Sequence, residues 1–209
     1  MSLSAEQIET MFTRPDGSFL CARWGRGIAP VVFGVEDATV SLFKSALQLV
    51  CGIAGHEVVE TDPELGVNLM VFFLRDWAEL REVPDLEKMV PGRDALADRL
   101  EADGAGSHRE LRFDASGAIQ AGVVFLRMDD AMADVPADLL ALVEAVRIML
   151  SWAPGAFGSV PLTAEEAGQT VLNPDILTLM KAAYDPFLPA AARDSSHALR
   201  LSARLETLT

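Results

Sequence analysis

Two rhythms of apolar residues run through the first third of the chain. Over residues 39–54, Leu42, Phe43, Ala46, Leu47 and Val50 fall on one helical stripe, opened by the acidic Glu36-Asp37-Ala38-Thr39 and closed by Gly52 and Gly55. Before it, 20–24 and 28–33 read as short extended pieces separated by Gly25-Arg26-Gly27, and Pro30 confines the second to a strand start or a sheet edge. After it, 56–61 reads as a strand, Asp62-Pro63-Glu64-Leu65-Gly66 as a turn and 67–74 as a buried strand. The opening pattern is therefore β-α-β-β.

Residues 76–103 are charged and helix-favouring but broken by Pro84, Pro91 and Gly92, which predicts two or three short helices. Segments 109–114 and 118–127 flank Ala115-Ser116-Gly117 and form a hairpin signal. The helix signal over 134–152 is the strongest: Pro136 suits an early helical position, and Leu139, Leu140, Val143, Val146, Ile148, Met149 and Leu150 leave little polar surface. Pro154, Gly155, Gly158 and Pro161 mark a loop over 153–161, and the remainder reads as helical apart from breaks at Asp185-Pro186 and Pro189. Residues 1–18 are polar and end in the turn signal Arg14-Pro15-Asp16-Gly17, so they are expected to form a flexible, poorly packed arm. Residues 19–209 read as one α+β domain. It holds a mixed sheet of about five strands, a central apolar helix over about 136–152 and a helical C-terminal part from about 163.

A length of 209 residues suits a single domain, and half of the residues are apolar, with a mean hydropathy of +0.24. Runs such as 67–74 and 118–126 have strand length, well short of the ~18 apolar residues that cross a bilayer. Met1-Ser2-Leu3-Ser4 lacks the basic-then-apolar pattern of a signal peptide, which points to the cytoplasm for the chain as given. The Met-Ser-Leu start also reads as a cloning remnant, in which case a periplasmic or envelope location stays open. Seventeen Lys and Arg face 31 Asp and Glu, for a formal charge of −14. That sign argues against nucleic acid and anionic membranes as partners. It fits a solvated surface, or an acidic face for a basic partner. Cys21 and Cys51, thirty positions apart and each among apolar residues, read as buried free thiols, with a disulfide in view only for an exported protein.

Chemistry is sparse. His56, His108 and His197 show no metal-binding spacing. His56-Glu57-Val58-Val59-Glu60 has Glu60 where a metalloprotease motif needs its second histidine, and in a strand positions four apart lie about 13 Å from each other. No nucleophile elbow and no phosphate-cradling glycine loop occurs, and pairs such as Asp129-Asp130 and Glu165-Glu166 read as helix starts. No cofactor is expected. Two segments remain as binding candidates. Arg23-Trp24-Gly25-Arg26 offers one aromatic and two cations, and reads either as a ligand lip or as a packed Trp24 with solvated arginines. The loop over 152–160 carries Phe157 between glycines, and reads either as a flap over a groove or as a connector between helices.

The order of segments resembles a bacterial family of uncharacterised proteins with a zincin-like layout. The resemblance rests on Arg23-Trp24, the helix ending near Gly55, Asn68-Leu69-Met70-Val71-Phe72-Phe73, the extended 122–126, the apolar helix with Glu144, and Ala183-Tyr184-Asp185-Pro186-Phe187-Leu188-Pro189. It implies a mixed sheet beside a central helix. In active zincins that helix carries H-E-x-x-H, whose histidines hold zinc and whose glutamate activates water. Here Val143-Glu144-Ala145-Val146-Arg147 keeps the glutamate, with Val143 and Arg147 where the histidines belong. The resemblance thus implies a domain without zinc hydrolysis that binds a protein or small ligand, with Glu144 either buried beside Arg147 or another cation, or solvated. A hydrolase or transferase assembled from distant residues, with Glu144, Arg147, Asp185 and His197 as first candidates, is the alternative. Surplus apolar surface adds a third reading, self-association into a homo-oligomer.

Overall fold

In the computed structural model, which describes residues 3–208, the elements run α1 (Ala5–Phe12), β1 (Cys21–Ala22), β2 (Pro30–Phe33), α2 (Asp37–Ala54), β3 (Leu69–Leu74), a 3-10 turn (Trp77–Arg81), α3 (Leu86–Met89) and α4 (Arg93–Ala102). They continue with β4 (Ser107–Phe113), β5 (Ile119–Arg127), α5 (Asp130–Ala133), α6 (Ala137–Met149), β6 (Thr163–Glu166), β7 (Gln169–Leu172), α7 (Pro174–Ala183), β8 (Ala191–Ala192) and α8 (His197–Leu205). The class is mixed α+β. A four-stranded sheet has the order β2-β3-β5-β4, in which β2, β3 and β5 run parallel and β4 is antiparallel at one edge. Pro30 opens β2 at the other edge, where its missing N–H costs no ladder bond.

Both faces of the two central strands, β3 and β5, are covered, and these strands are largely apolar on both sides. Leu69, Val71 and Phe73 of β3, with Val124 and Leu126 of β5, face the larger core built with α1, α2, α6, α7 and α8. Phe72, Leu74 and Phe125 face a smaller core with Trp77, Leu80, Leu86, Leu96 and Leu100. Helices α2 and α6 pack on each other across the larger core, and α6 buries Leu140, Ala141, Ala145, Val146, Ile148 and Met149. The two or three short helices expected between β3 and β4 are present, as are the 107–127 hairpin and the α2 stop at Gly55 in the left-handed conformation.

Three expectations are corrected. The first 18 residues are not a loose arm: Ser4 and Gln7 form a reciprocal capping box, and Ile8, Met11 and Phe12 of α1 are fully buried where the helix packs on α8. Residues 56–61 form no strand, only a single bridge between Val58 and Ile28. The ladder stops there because the Arg26 carbonyl, which the Glu57 N–H would need next, is taken by His56 Nε2 (3.0 Å), and Pro30 has no N–H to give the Val59 carbonyl. The sheet therefore has four strands rather than five. The C-terminal part is not wholly helical either, because β6 and β7 pair antiparallel around Ala167 and Gly168, both at positive φ. A two-residue turn of that kind overrides the helix preference of Ala164-Glu165-Glu166.

Phe12 is fully buried and stacks on Trp152 with ring centroids 5.0 Å apart. Phe12→Ala is expected to lower the unfolding free energy by about 3–4 kcal/mol, measured by urea denaturation. A loss below about 1 kcal/mol would mark α1 as dispensable.

Candidate functional site

The last four carbonyls of a helix lack intrahelical donors, and a buried end must find them elsewhere. At the end of α6 three aromatic side chains supply them. Trp152 Nε1 donates to the Val146 carbonyl (3.1 Å), Trp24 Nε1 to Ile148 (2.9 Å) and the Tyr184 hydroxyl to Met149 (2.7 Å). The chain then continues extended. Leu150 bridges to Arg23, and the buried Ser151 hydroxyl accepts from the Ala22 N–H (2.8 Å) and donates to the Leu20 carbonyl (3.0 Å). Met11 accepts from the Ala153 N–H (2.9 Å), so α1 supports the next loop from behind.

One turn before this end, Glu144 is fully buried. Its carboxylate accepts from Arg147 Nη1 at 2.8 Å on one oxygen and from Arg109 Nη1 of β4 at 3.1 Å on the other. The pairing is with both cations, and Val143 at its side is partly buried. Burial pulls the Arg109 guanidinium below its ordinary value, Glu144 opposes that shift and the nearby Arg147 charge adds to it. A guanidinium stays charged regardless. Two cations thus share one carboxylate, and each side chain keeps more than a quarter of its surface open (27% and 29%).

Those open parts face a cleft of about 720 Å³. Strand β4 forms one wall through Ser107, His108, Arg109, Glu110 and Leu111, and the loop over 152–158 forms the other; Arg14, just after α1, adds a third arginine. Phe157 lies under Arg147, whose guanidinium carbon is 5.9 Å from the ring centroid, and tilts against Trp152 at 5.1 Å. His108 Nε2 meets Glu110 Oε1 at 2.8 Å, which holds the Glu110 carboxyl below its usual range.

The β4 wall is also the free edge of the sheet. The Arg127 N–H donates to the Gly106 carbonyl (2.9 Å), which sets the antiparallel alternation. His108, Glu110 and Arg112 exchange bonds with β5, while Ser107, Arg109 and Leu111 turn their N–H and carbonyl groups outward. Among the described residues these three have no backbone partner.

Known proteins offer no guide. Compared against protein-family models, curated proteins and solved structures, the chain matches none of them.

The structure gathers some of the sequence candidates and separates others. Glu144, Arg147 and Phe157 meet at the cleft. Trp24 is fully buried at the end of α6, Arg23 lies 5.6 Å from the Tyr184 ring and Arg26 pairs with Asp62 (3.4 Å) and Glu64 (2.8 Å), all outside the cleft lining. Asp185 is buried and ion-paired with Arg204; His197 is buried with Nδ1 unpartnered among the described residues, and neither lines the cleft. Burial and Arg200 lower the His197 pKa. Cys21 and Cys51 are free and buried, their thiols pushed up to about 12 by burial. The donor set does not fit a zinc ion: both oxygens of Glu144 are taken by guanidinium groups, and among the described residues no three His, Cys, Asp or Glu side chains are grouped to hold a metal. Residues missed from the sequence are Arg14, Arg109, His108 and Trp152. Arg109 carried a signal, being a charge on the same strand face as Leu111 and Phe113, which pack on the larger core.

Removing the charge at Glu144 would leave two guanidiniums facing each other. Glu144→Gln is expected to cost roughly 2–3 kcal/mol, less than a fully buried pair because both arginines reach solvent. Chemical denaturation measures it, and an unchanged or raised stability would contradict the pairing.

Proposed function

We propose that this protein is a non-catalytic binding domain that takes an extended peptide segment along β4, as an added strand at the free edge. The observation that carries the reading is the coincidence of edge and cleft. Ser107, Arg109 and Leu111 present outward backbone donors and acceptors into a groove already walled by side chains. An unpaired edge is a template for another strand, and main-chain bonds give such docking its affinity while pockets give it specificity. The zincin-like layout belongs to this reading as architecture without hydrolysis. What supports that part is Glu144, sequestered by Arg109 and Arg147 rather than free to activate water. No observation favours the hydrolase or transferase reading.

Panning a random decapeptide library against the intact protein tests the proposal. Selected peptides should lose about tenfold or more in affinity, ~1.4 kcal/mol, for Leu111→Pro, which removes an outward N–H while leaving the ladder to β5. Circular dichroism verifies that the variant folds. Peptides that bind Leu111→Pro as well as the original chain would sink the reading.

A further inference from the structure

The cleft has a charge of its own, opposite to that of the chain. With a formal charge of −14 overall, the protein nevertheless lines this groove with Arg14, Arg109 and Arg147. Glu110 is the one carboxylate in the lining and Glu144 lies behind it, so three cations face two anions. Charges of both signs spread over an acidic surface would not cluster arginines in one concavity without a counter-ion for them.

We propose that the cleft contains a carboxylate seat, in which Arg109 and Arg147 jointly bind a carboxylate of the docked segment, with Arg14 closing over it. This deepens the strand-addition reading by naming the chemistry of the ligand, and rests on it for the ligand being a peptide. Glu144 is the positioning residue. Each of its oxygens takes one Nη1, which brings the two guanidiniums together and fixes their planes. A guanidinium has five donors, so each arginine retains donors beyond the one that Glu144 occupies. The Arg147 Nε is buried without a partner among the described residues, so the donors offered to a ligand are those of its Nη nitrogens. Phe157 beneath Arg147 holds the plane from the other side and, with Trp152, gives an apolar wall for the part of the ligand next to the carboxylate. Arg14 has no ion-pair partner within 4 Å among the described residues, although Asp16 on the same turn feels its charge. The net charge of −14 disfavours a second copy of this chain at the edge, most strongly at low ionic strength, whereas a short segment carries little charge besides the carboxylate.

The carboxylate has two sources in a peptide, the C-terminus and an acidic side chain. Three small probes separate them on the full chain by NMR titration: N-acetyl-phenylalanine, its amide, and N-acetyl-glutamic acid α-amide. The seat predicts millimolar binding of at least one carboxylate probe, about tenfold weaker binding of the uncharged amide, and chemical-shift changes at the Arg109 and Arg147 side-chain N–H groups. Preference for the first acid assigns a C-terminus, and preference for the glutamate derivative a side chain. Arg14→Ala, on a turn outside the core, should weaken the bound acid about threefold. Glu144→Gln with Arg147→Gln should abolish the preference for acid over amide. Equal binding of acid and amide, or no binding of either acid, overturns the seat. The two proposals fail separately: if only strand addition is wrong, the acid probes keep their preference over the amide while selected peptides bind Leu111→Pro as well as the original chain, and if only the seat is wrong, selected peptides stay sensitive to Leu111→Pro while acid and amide bind equally.

Discussion

A buried helix end has to be closed by donors from outside the helix, and at α6 that requirement organises the surrounding chain. Trp24 comes from the segment after β1, Trp152 from the loop after α6 and Tyr184 from the end of α7, and each gives its one polar hydrogen to a different terminal carbonyl. Two distant segments and the loop that follows α6 are thereby pinned to one point. The consequence for the cleft is direct. Trp152 is held at its nitrogen by α6 and on its ring face by Phe12, so the loop over 152–158 is a fixed wall rather than a loose connector. Deep burial of Tyr184 drives its phenol far above its ordinary value, which keeps it a donor at any working pH.

Electrostatics then gives that wall something to face. A carboxylate on the buried side of a helix needs a cation, and Glu144 has two, from different elements. The surplus positive charge cannot retreat into the core, so it is directed into the groove. Burying Glu144 both ties β4 to α6 and leaves an arginine pair beside the sheet edge. One arrangement stabilises the fold and equips the site.

Much of the framework was legible in the sequence because local chemistry and burial agree there. The α2 stripe ends at Gly55, whose φ of 69° suits glycine, and Ala115-Ser116-Gly117 makes the turn its composition announces. Legibility fails where tertiary contacts override local preference. Helix α1 has Ile8, Met11 and Phe12 at helical spacing, but eight residues are too few to form a stable helix alone, and its order comes from α8 and Trp152. Val58 and Val59 look like strand residues, yet the segment they would pair with offers Pro30, which has no N–H, and an Arg26 carbonyl already held by His56. At the site, Glu144 and Arg147 are three apart on one helix and visible together. Arg109 and Arg14 reach them only through the sheet and α1. No spacing along the chain encodes that meeting, nor the placement of Phe157 against the Arg147 guanidinium.

Amide hydrogen exchange along β4 tests strand addition most directly, because the claim concerns individual backbone groups. In the free protein, Ser107, Arg109 and Leu111 should exchange quickly and His108, Glu110 and Arg112 slowly. With a selected peptide at saturation, the first three should become protected while the second three change little. Fast exchange at Ser107, Arg109 and Leu111 with the peptide bound would contradict the account.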